Sequence, residues 1–200
     1  MKRLVCHLLW VTGGLVSVFV PSATAQAPGN DWKQSLSGGF IYGIPVSSFG
    51  QNPAPGYTVT YAYRPVHWFA LEAGLDQVIH SIGAVEYLNN GIPEYVSVND
   101  HLYFVPFGAR FIWAPPNNGR WQVTAGGGGT YLYHHFSDFG DPSTSGFGLQ
   151  AVASADYALS PSGRFRVGVT ARYYYVNPGH TREIIDRFFN IGPAFTFSFH

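Results

Sequence analysis

Six ionisable side chains stand in the middle of stretches that are otherwise poor in charge: Glu72, Asp76, Arg110, Asp156, Arg166 and Arg172. All six occupy even positions. On extended strands, residues two apart share a face. If that face is enclosed the charges must pair, because a buried charge without a partner is strongly destabilising. Distance from the aromatic at the near end of each stretch gives their relative depth. Glu72 lies three residues from Phe69, and Arg110 three from Trp113. Asp156 is next to Tyr157, and Arg166 next to Phe165. Asp76 and Arg172 each lie seven residues in. Opposite charges at matching depth imply a structural ion-pair network, with a gated ion path as the functional alternative.

The histidines offer a second chemistry. His80, His101, His134, His135 and His180 fall near the ends of these stretches, with Asp138, Asp141 and Asp186 nearby. Imidazole and carboxylate suit a transition metal. No pair has a diagnostic ligand spacing, so no metal and no cofactor are expected. Gly126 to Gly129 is no phosphate loop either. It lies inside a strand pattern with no helix after it, where glycine relieves crowding or bends the sheet.

The elements that hold these residues follow from aromatic spacing. Tyr103 and Trp113, Trp121 and Tyr131, Phe147 and Tyr157, and Phe165 and Tyr175 are each ten positions apart, all at odd numbers. Ten residues of strand cover roughly 33 Å. Tilted by about 40°, they span a height of roughly 25 Å, the apolar band of a transmembrane β-barrel bounded by two aromatic girdles. Composition agrees, with 46% hydrophobic, 17% aromatic and only 11% charged residues. Lysine occurs only at Lys2 and Lys33. After residue 25 no apolar run is long enough for a membrane helix. The zero net charge gives no basis for binding nucleic acid through a basic patch.

Glycine and proline divide the chain into eight expected strands, near 35–44, 57–64, 67–79, 101–114, 120–134, 146–159, 164–176 and 188–199. Short turns fall at Arg64-Pro65-Val66, at 115–119 and at 160–163. Long links fall at 45–56, 80–100, 135–145 and 177–187. Short turns at one end and long loops at the other are the topology of a bacterial outer-membrane barrel, loops outside. Small residues on the even face suit the crowded interior of eight strands. A soluble sandwich would expose that weakly charged face to water.

The first 25 residues read as a cleavable signal peptide. Lys2 and Arg3 precede the apolar stretch Leu4 to Val20, and Ala23-Thr24-Ala25 supplies the cleavage site. Cleavage removes the only cysteine, Cys6, and leaves no thiol for a disulfide or a metal. Residues 26–33 are then a periplasmic N-terminal segment, and 34–200 the barrel domain.

The export signal, the eight alternating segments, the aromatic ladders and the ending Phe195-Thr196-Phe197-Ser198-Phe199 together resemble the small outer-membrane β-barrels of OmpA transmembrane-domain and OmpX/Ail type. The resemblance implies an all-β, eight-stranded, up-and-down antiparallel barrel in the cell outer membrane. It implies that Phe195, Phe197 and Phe199 form the C-terminal signal read by the barrel-assembly machinery, although His200 follows them here. It also implies a monomer in contact with outer-membrane lipid, with no enzymatic role. The expected function is structural or surface interaction, with a side-chain-plugged lumen and an extracellular partner held by the loops, chiefly 81–99 and 135–145. A narrow channel for ions or small solutes is one alternative. A lipid A-modifying hydrolase is the other, but its His-x-Ser-Asn motif is replaced on the late strand by Tyr173-Tyr174-Tyr175-Val176-Asn177. Only His135-Phe136-Ser137-Asp138, in an expected loop, mimics it.

Overall fold

The computed structural model describes residues 32–46, 52–87, 93–115, 120–136, 143–177 and 187–200. The expected signal segment lies outside them, as do Ser137, Asp138, Asp141, His180 and Asp186. Eight strands form: β1 (Gln34–Pro45), β2 (Ala54–Val66), β3 (Phe69–Tyr87), β4 (Pro93–Trp113), β5 (Trp121–Phe136), β6 (Thr144–Ala158), β7 (Phe165–Asn177) and β8 (Arg187–Phe199). Each pairs antiparallel with the next, and β1 pairs with β8 to close an eight-stranded transmembrane barrel. Closure removes sheet edges and satisfies the backbone within the sheet, as a wall in lipid requires.

Apolar side chains at odd positions of β2 to β8 point outward, among them Val59, Leu71, Phe107, Phe147, Val169 and Phe195. The even positions of β6, from Gln150 to Ala158, are all buried. Strand β1 reverses the parity: Leu36, Phe40 and Tyr42 face out, while Ile41 and Gly43 are buried. A rule of even-inside therefore fails on β1.

Two expected connections are corrected. The link at 80–100 is largely a hairpin, with β3 and β4 paired from Ser81↔Asn99 up to Tyr87↔Pro93. Residues 88–92 alone in this link lie outside the described residues. Its Gly, Asn and Pro content suggested a loop, but 82–87 and 93–98 also carry Val, Ile and Tyr, residues that favour strands. The turn expected at Arg64-Pro65-Val66 falls instead at His67 and Trp68. The ladder shifts between Tyr63 and Val66, around Pro65, which has no N–H to give it. The Arg64 side chain then donates to the His67 carbonyl at 2.7 Å.

At the β6–β7 turn, Gly163 takes φ 66° and its N–H reaches the Ser160 carbonyl at 3.0 Å. A left-handed residue there favours glycine. Two further prolines sit inside strands. Pairing lapses opposite Pro106 on the β3–β4 seam and opposite Pro193 on the β1–β8 seam, while each proline keeps its place against the strand on its other side.

Candidate functional site in the barrel interior

The lumen divides by chemistry along its axis. Toward the long-loop end it is apolar. Ile41, Val78, Leu102, Phe104, Leu132, Tyr174, Val176 and Phe188 form one buried cluster. The Phe104 ring stacks on Tyr174 with centroids 4.3 Å apart, and Phe188 lies 5.4 Å from Phe104. His80 is also buried and meets Phe188 edge-on at 5.9 Å. Small lumen-facing side chains were expected here, so this cluster was missed. Its signal was present in the even numbering of Leu102, Phe104, Leu132, Tyr174, Val176 and Phe188, all near the long-loop ends of their strands.

Directly beneath lies a charge network. Asp76, 1% exposed, accepts from four side chains. Thr58 Oγ1 and Arg172 Nη1 reach its Oδ1 at 2.6 and 2.9 Å. Tyr174 Oη and Asn190 Nδ2 reach its Oδ2 at 2.7 and 3.1 Å. Four donors on one carboxylate replace the hydration that burial removes. Arg172 also approaches Glu72 Oε2 at 3.6 Å and Thr60 Oγ1 at 3.4 Å, so it bridges the two acids. Glu72 is completed by the Arg110 Nε and by Gln150 Nε2 at 3.3 Å. Two acids and two bases thus meet at mid-barrel. Thr58, Thr60, Gln150, Tyr174 and Asn190 complete the arrangement, and spacing alone did not single them out.

Asp156 and Arg166 do not form the expected direct pair. The register sets Asp156 opposite Gly168 and Arg166 opposite Ala158, two residues apart on the seam. Asp156 takes its hydrogen bond from Ser154 at 2.8 Å. Arg166 is buried, and its Nη1 has no protein partner. Both line a polar cavity of about 50 Å³ at the short-turn end, with Ser37, Thr124, Thr170 and Ser198 among its walls. That volume holds about three waters, which are the natural bridge between such groups.

On the outer surface Trp113, Trp121, Phe147, Phe165 and Tyr175 are exposed, while Tyr103, Tyr131 and Tyr157 are half-buried. Trp121 packs on Tyr157 at 5.2 Å and Tyr131 on Phe147 at 5.0 Å, across the β5–β6 pair. Two levels of interfacial aromatics result, as membrane girdles require. In the Gly126–Gly129 run, a Cβ on Gly128 would strike the β4 backbone, and one on Gly129 would strike the Phe107 ring. The close approach of β4 and β5 needs those glycines. Phe197 stacks between Phe165 and Phe199 near the chain end, while Phe195 is exposed.

The histidines do not assemble a metal centre among the described residues. His101 and His135 face each other across the β4–β5 ladder. The His101 Nδ1 is 3.2 Å from the Gln77 amide nitrogen, and the His135 Nδ1 is 3.1 Å from Ser143 Oγ. Ser143 also accepts from Tyr133 Oη at 3.1 Å. Among the described residues no carboxylate orients His135, the third member that nucleophilic activation requires, and Asp138 and Asp141 lie outside them.

No protein-family model matches the chain, and no curated protein matches it closely enough to count as a relative. Solved structures do match. Neisserial surface protein A superposes with a TM-score of 0.61 at 14% identity, covering 83% of this chain and 97% of its own. The outer membrane protein OprG of Pseudomonas aeruginosa gives 0.62 at 12% identity, covering 88% and 100%. The attachment invasion locus protein Ail of Yersinia pestis, in complex with the heparin analogue sucrose octasulfate, gives 0.56 at 14% identity, covering 84% and 99%. At these identities the likeness concerns the fold. This chain has the fold of the small eight-stranded outer-membrane barrels.

Proposed function

We propose that this protein is a non-enzymatic surface barrel of the bacterial outer membrane, with a closed lumen and with binding carried by its extracellular loops. The support is the double layer inside the barrel. The apolar cluster around Phe104 lies over the Asp76–Arg172–Glu72–Arg110 network, and a hydrated ion would have to displace both. Little conduction is compatible with that interior. The wall then serves to present the β3–β4 hairpin and the neighbouring loops. The charges of three long links favour a particular partner chemistry. Links 80–100, 135–145 and 177–187 carry Glu86, Glu94, Asp100, Asp138, Asp141, Glu183 and Asp186 against Arg182 and Arg187. An acidic loop crown favours cationic or neutral ligands, and sulfated glycans of the kind bound to the Ail structure are disfavoured on charge.

Planar-bilayer recording tests the closed lumen: the purified barrel is expected to insert without a steady open conductance, and a large steady conductance would favour the channel reading. Removing 81–99 and 135–145 tests the loops. The shortened protein is expected to insert and keep heat-resistant mobility while losing surface binding. Failure to insert would make the loops part of the folding unit. Among the described residues the His135–Ser143 contact is the feature that favours a hydrolase. The lipid A mass spectrum of expressing cells is expected to be unchanged. Loss of an acyl chain that Ser143→Ala abolishes would establish the enzyme instead.

A further inference from the structure

The outer wall of the barrel carries a concave site in the half nearer the short turns. A groove of about 380 Å³, lined by exposed apolar side chains of β7, β8, β1 and β2, opens on the lipid side of the wall. Its floor includes Gly38, which pairs with Val59 on one side and Phe195 on the other. Leu36, Val59, Leu159, Phe165, Phe195 and Phe197 contribute its apolar walls, and all but Phe197 are strongly exposed. The hollow exists because a glycine stands at a lipid-facing position of β1 where Leu36 and Phe40 flank it. Nothing steric demands that glycine. A Cβ built there meets no atom closer than the Thr58 carbonyl oxygen at 3.8 Å.

One end of the groove has a head-group chemistry. Phe197 lines the groove, and the Arg164 guanidinium lies 4.7 Å from the centroid of its ring. Trp32 contacts the same guanidinium at 5.7 Å, and its indole N–H donates to the Ser162 carbonyl at 2.8 Å. Two aromatic faces therefore hold this cation at the short-turn rim. Among the described residues no carboxylate forms an ion pair with Arg164. An exposed arginine held by a tryptophan at the membrane boundary, with an acyl-sized apolar hollow beside it, matches an amphiphile with an anionic head and a hydrocarbon tail.

We infer that this groove holds one glycerophospholipid of the periplasmic leaflet, its phosphate on Arg164 and an acyl chain over Gly38. The inference rests on the outer-membrane orientation proposed above, in which the short turns face the periplasm. Guanidinium matches phosphate by paired N–H donors. The site differs from the general lipid coat in having a built depression and, at one end of it, a cation held by two aromatic rings and paired with no carboxylate of the described residues.

Native mass spectrometry of the full chain tests this, after refolding in detergent with added 16:0/18:1 phosphatidylglycerol. The wild-type barrel is expected to retain one lipid through mild activation. Arg164→Gln is expected to lower the retained fraction about tenfold, the scale of losing one charge-assisted contact. Gly38→Leu fills the hollow at a position with room for a side chain and is expected to abolish retention while Arg164 stays in place. Equal retention by all three proteins would overturn the inference, since the lipid would then be bound by the general belt. Heat-modifiable mobility and insertion into liposomes are read on the same samples. Loss of insertion in the wild type would defeat the membrane-barrel reading itself, whereas normal insertion with equal retention defeats only the lipid site.

Discussion

The two halves of the barrel interior solve the same packing problem with opposite chemistry. In the half toward the long loops, a cluster of nine buried residues, apolar but for the Tyr174 hydroxyl, fills the space, with His80 and His134 buried there as well. In the half toward the short turns, hydroxyls, Asp156 and Arg166 surround a small polar cavity. The Asp76–Glu72–Arg110–Arg172 network marks the boundary, dry above and wet below. Tyr174 belongs to both sides, with its ring stacked on Phe104 and its hydroxyl donating to Asp76. Cooperativity is therefore expected to concentrate above the boundary. There every group depends on its neighbours, whereas water can replace a lost partner below it.

The largest expected effect breaks the boundary itself. Arg172→Met leaves Asp76 and Glu72 buried with one shared cation removed, and breaking a buried pair from one side costs about 3–5 kcal/mol. Arg166→Met, below the boundary, removes a buried guanidinium that attracts Asp156 without a direct ion pair, and is expected to cost about 1 kcal/mol, the centre of the range for single substitutions, because water in the cavity can take over its contacts. Urea unfolding in lipid bilayers measures both. Similar losses from the two variants would erase the distinction between the halves.

A second contrast uses neutral groups. Phe104→Ala opens a cavity at the centre of the apolar cluster, and such truncations cost about 3–5 kcal/mol in well-packed cores. Coming from the water-excluding layer, this loss is also expected to admit transient ion flow. Thr124→Ala removes one side of the Thr124–Ser154 hydroxyl pair, 2.9 Å apart in the polar half. It is expected to cost about 0.5–1 kcal/mol, the net value of an ordinary hydrogen bond. Unfolding midpoints and bilayer current traces of the two variants sharpen the comparison. Current through the Thr124 variant alone would place the barrier on the wrong side of the boundary.

What could be read in the sequence follows what is local. Strand positions, turn ends and the outward aromatics depend on period 2 and on glycine and proline, and those patterns are carried by neighbouring residues. Glu72 and Arg110 meet across consecutive strands although the register sets Glu72 opposite Gly108 and Arg110 opposite Ala70, two residues apart. Asp156 and Arg166 have the same two-residue offset on the β6–β7 seam, yet Asp156 takes its hydrogen bond from Ser154 and the Arg166 Nη1 has no protein partner. Residue spacing does not encode which of two equally offset pairs closes. Contacts across the lumen, such as Arg172 with Asp76 or Tyr174 with Phe104, depend further on how far the closed sheet is sheared. The long β3–β4 hairpin was hidden for a related reason. It is decided by a connection whose residues carry mixed turn and strand preferences.

The smallest effect gives the closest view of the boundary. Tyr174→Phe keeps the ring that stacks on Phe104 and deletes only the hydroxyl that donates to Asp76. Three donors remain on that carboxylate, from Thr58, Arg172 and Asn190. If the two layers act as one unit, losing this charge-assisted bond is expected to cost about 1.5–3 kcal/mol. If water can reach Asp76 from the cavity below, the cost falls toward zero. A double-mutant cycle between Tyr174→Phe and Asp76→Asn separates the two cases. Coupling above about 1 kcal/mol means that the network is sealed from the cavity. Coupling near zero would move the wet region up to Asp76 and leave the apolar cluster as the sole barrier in the lumen.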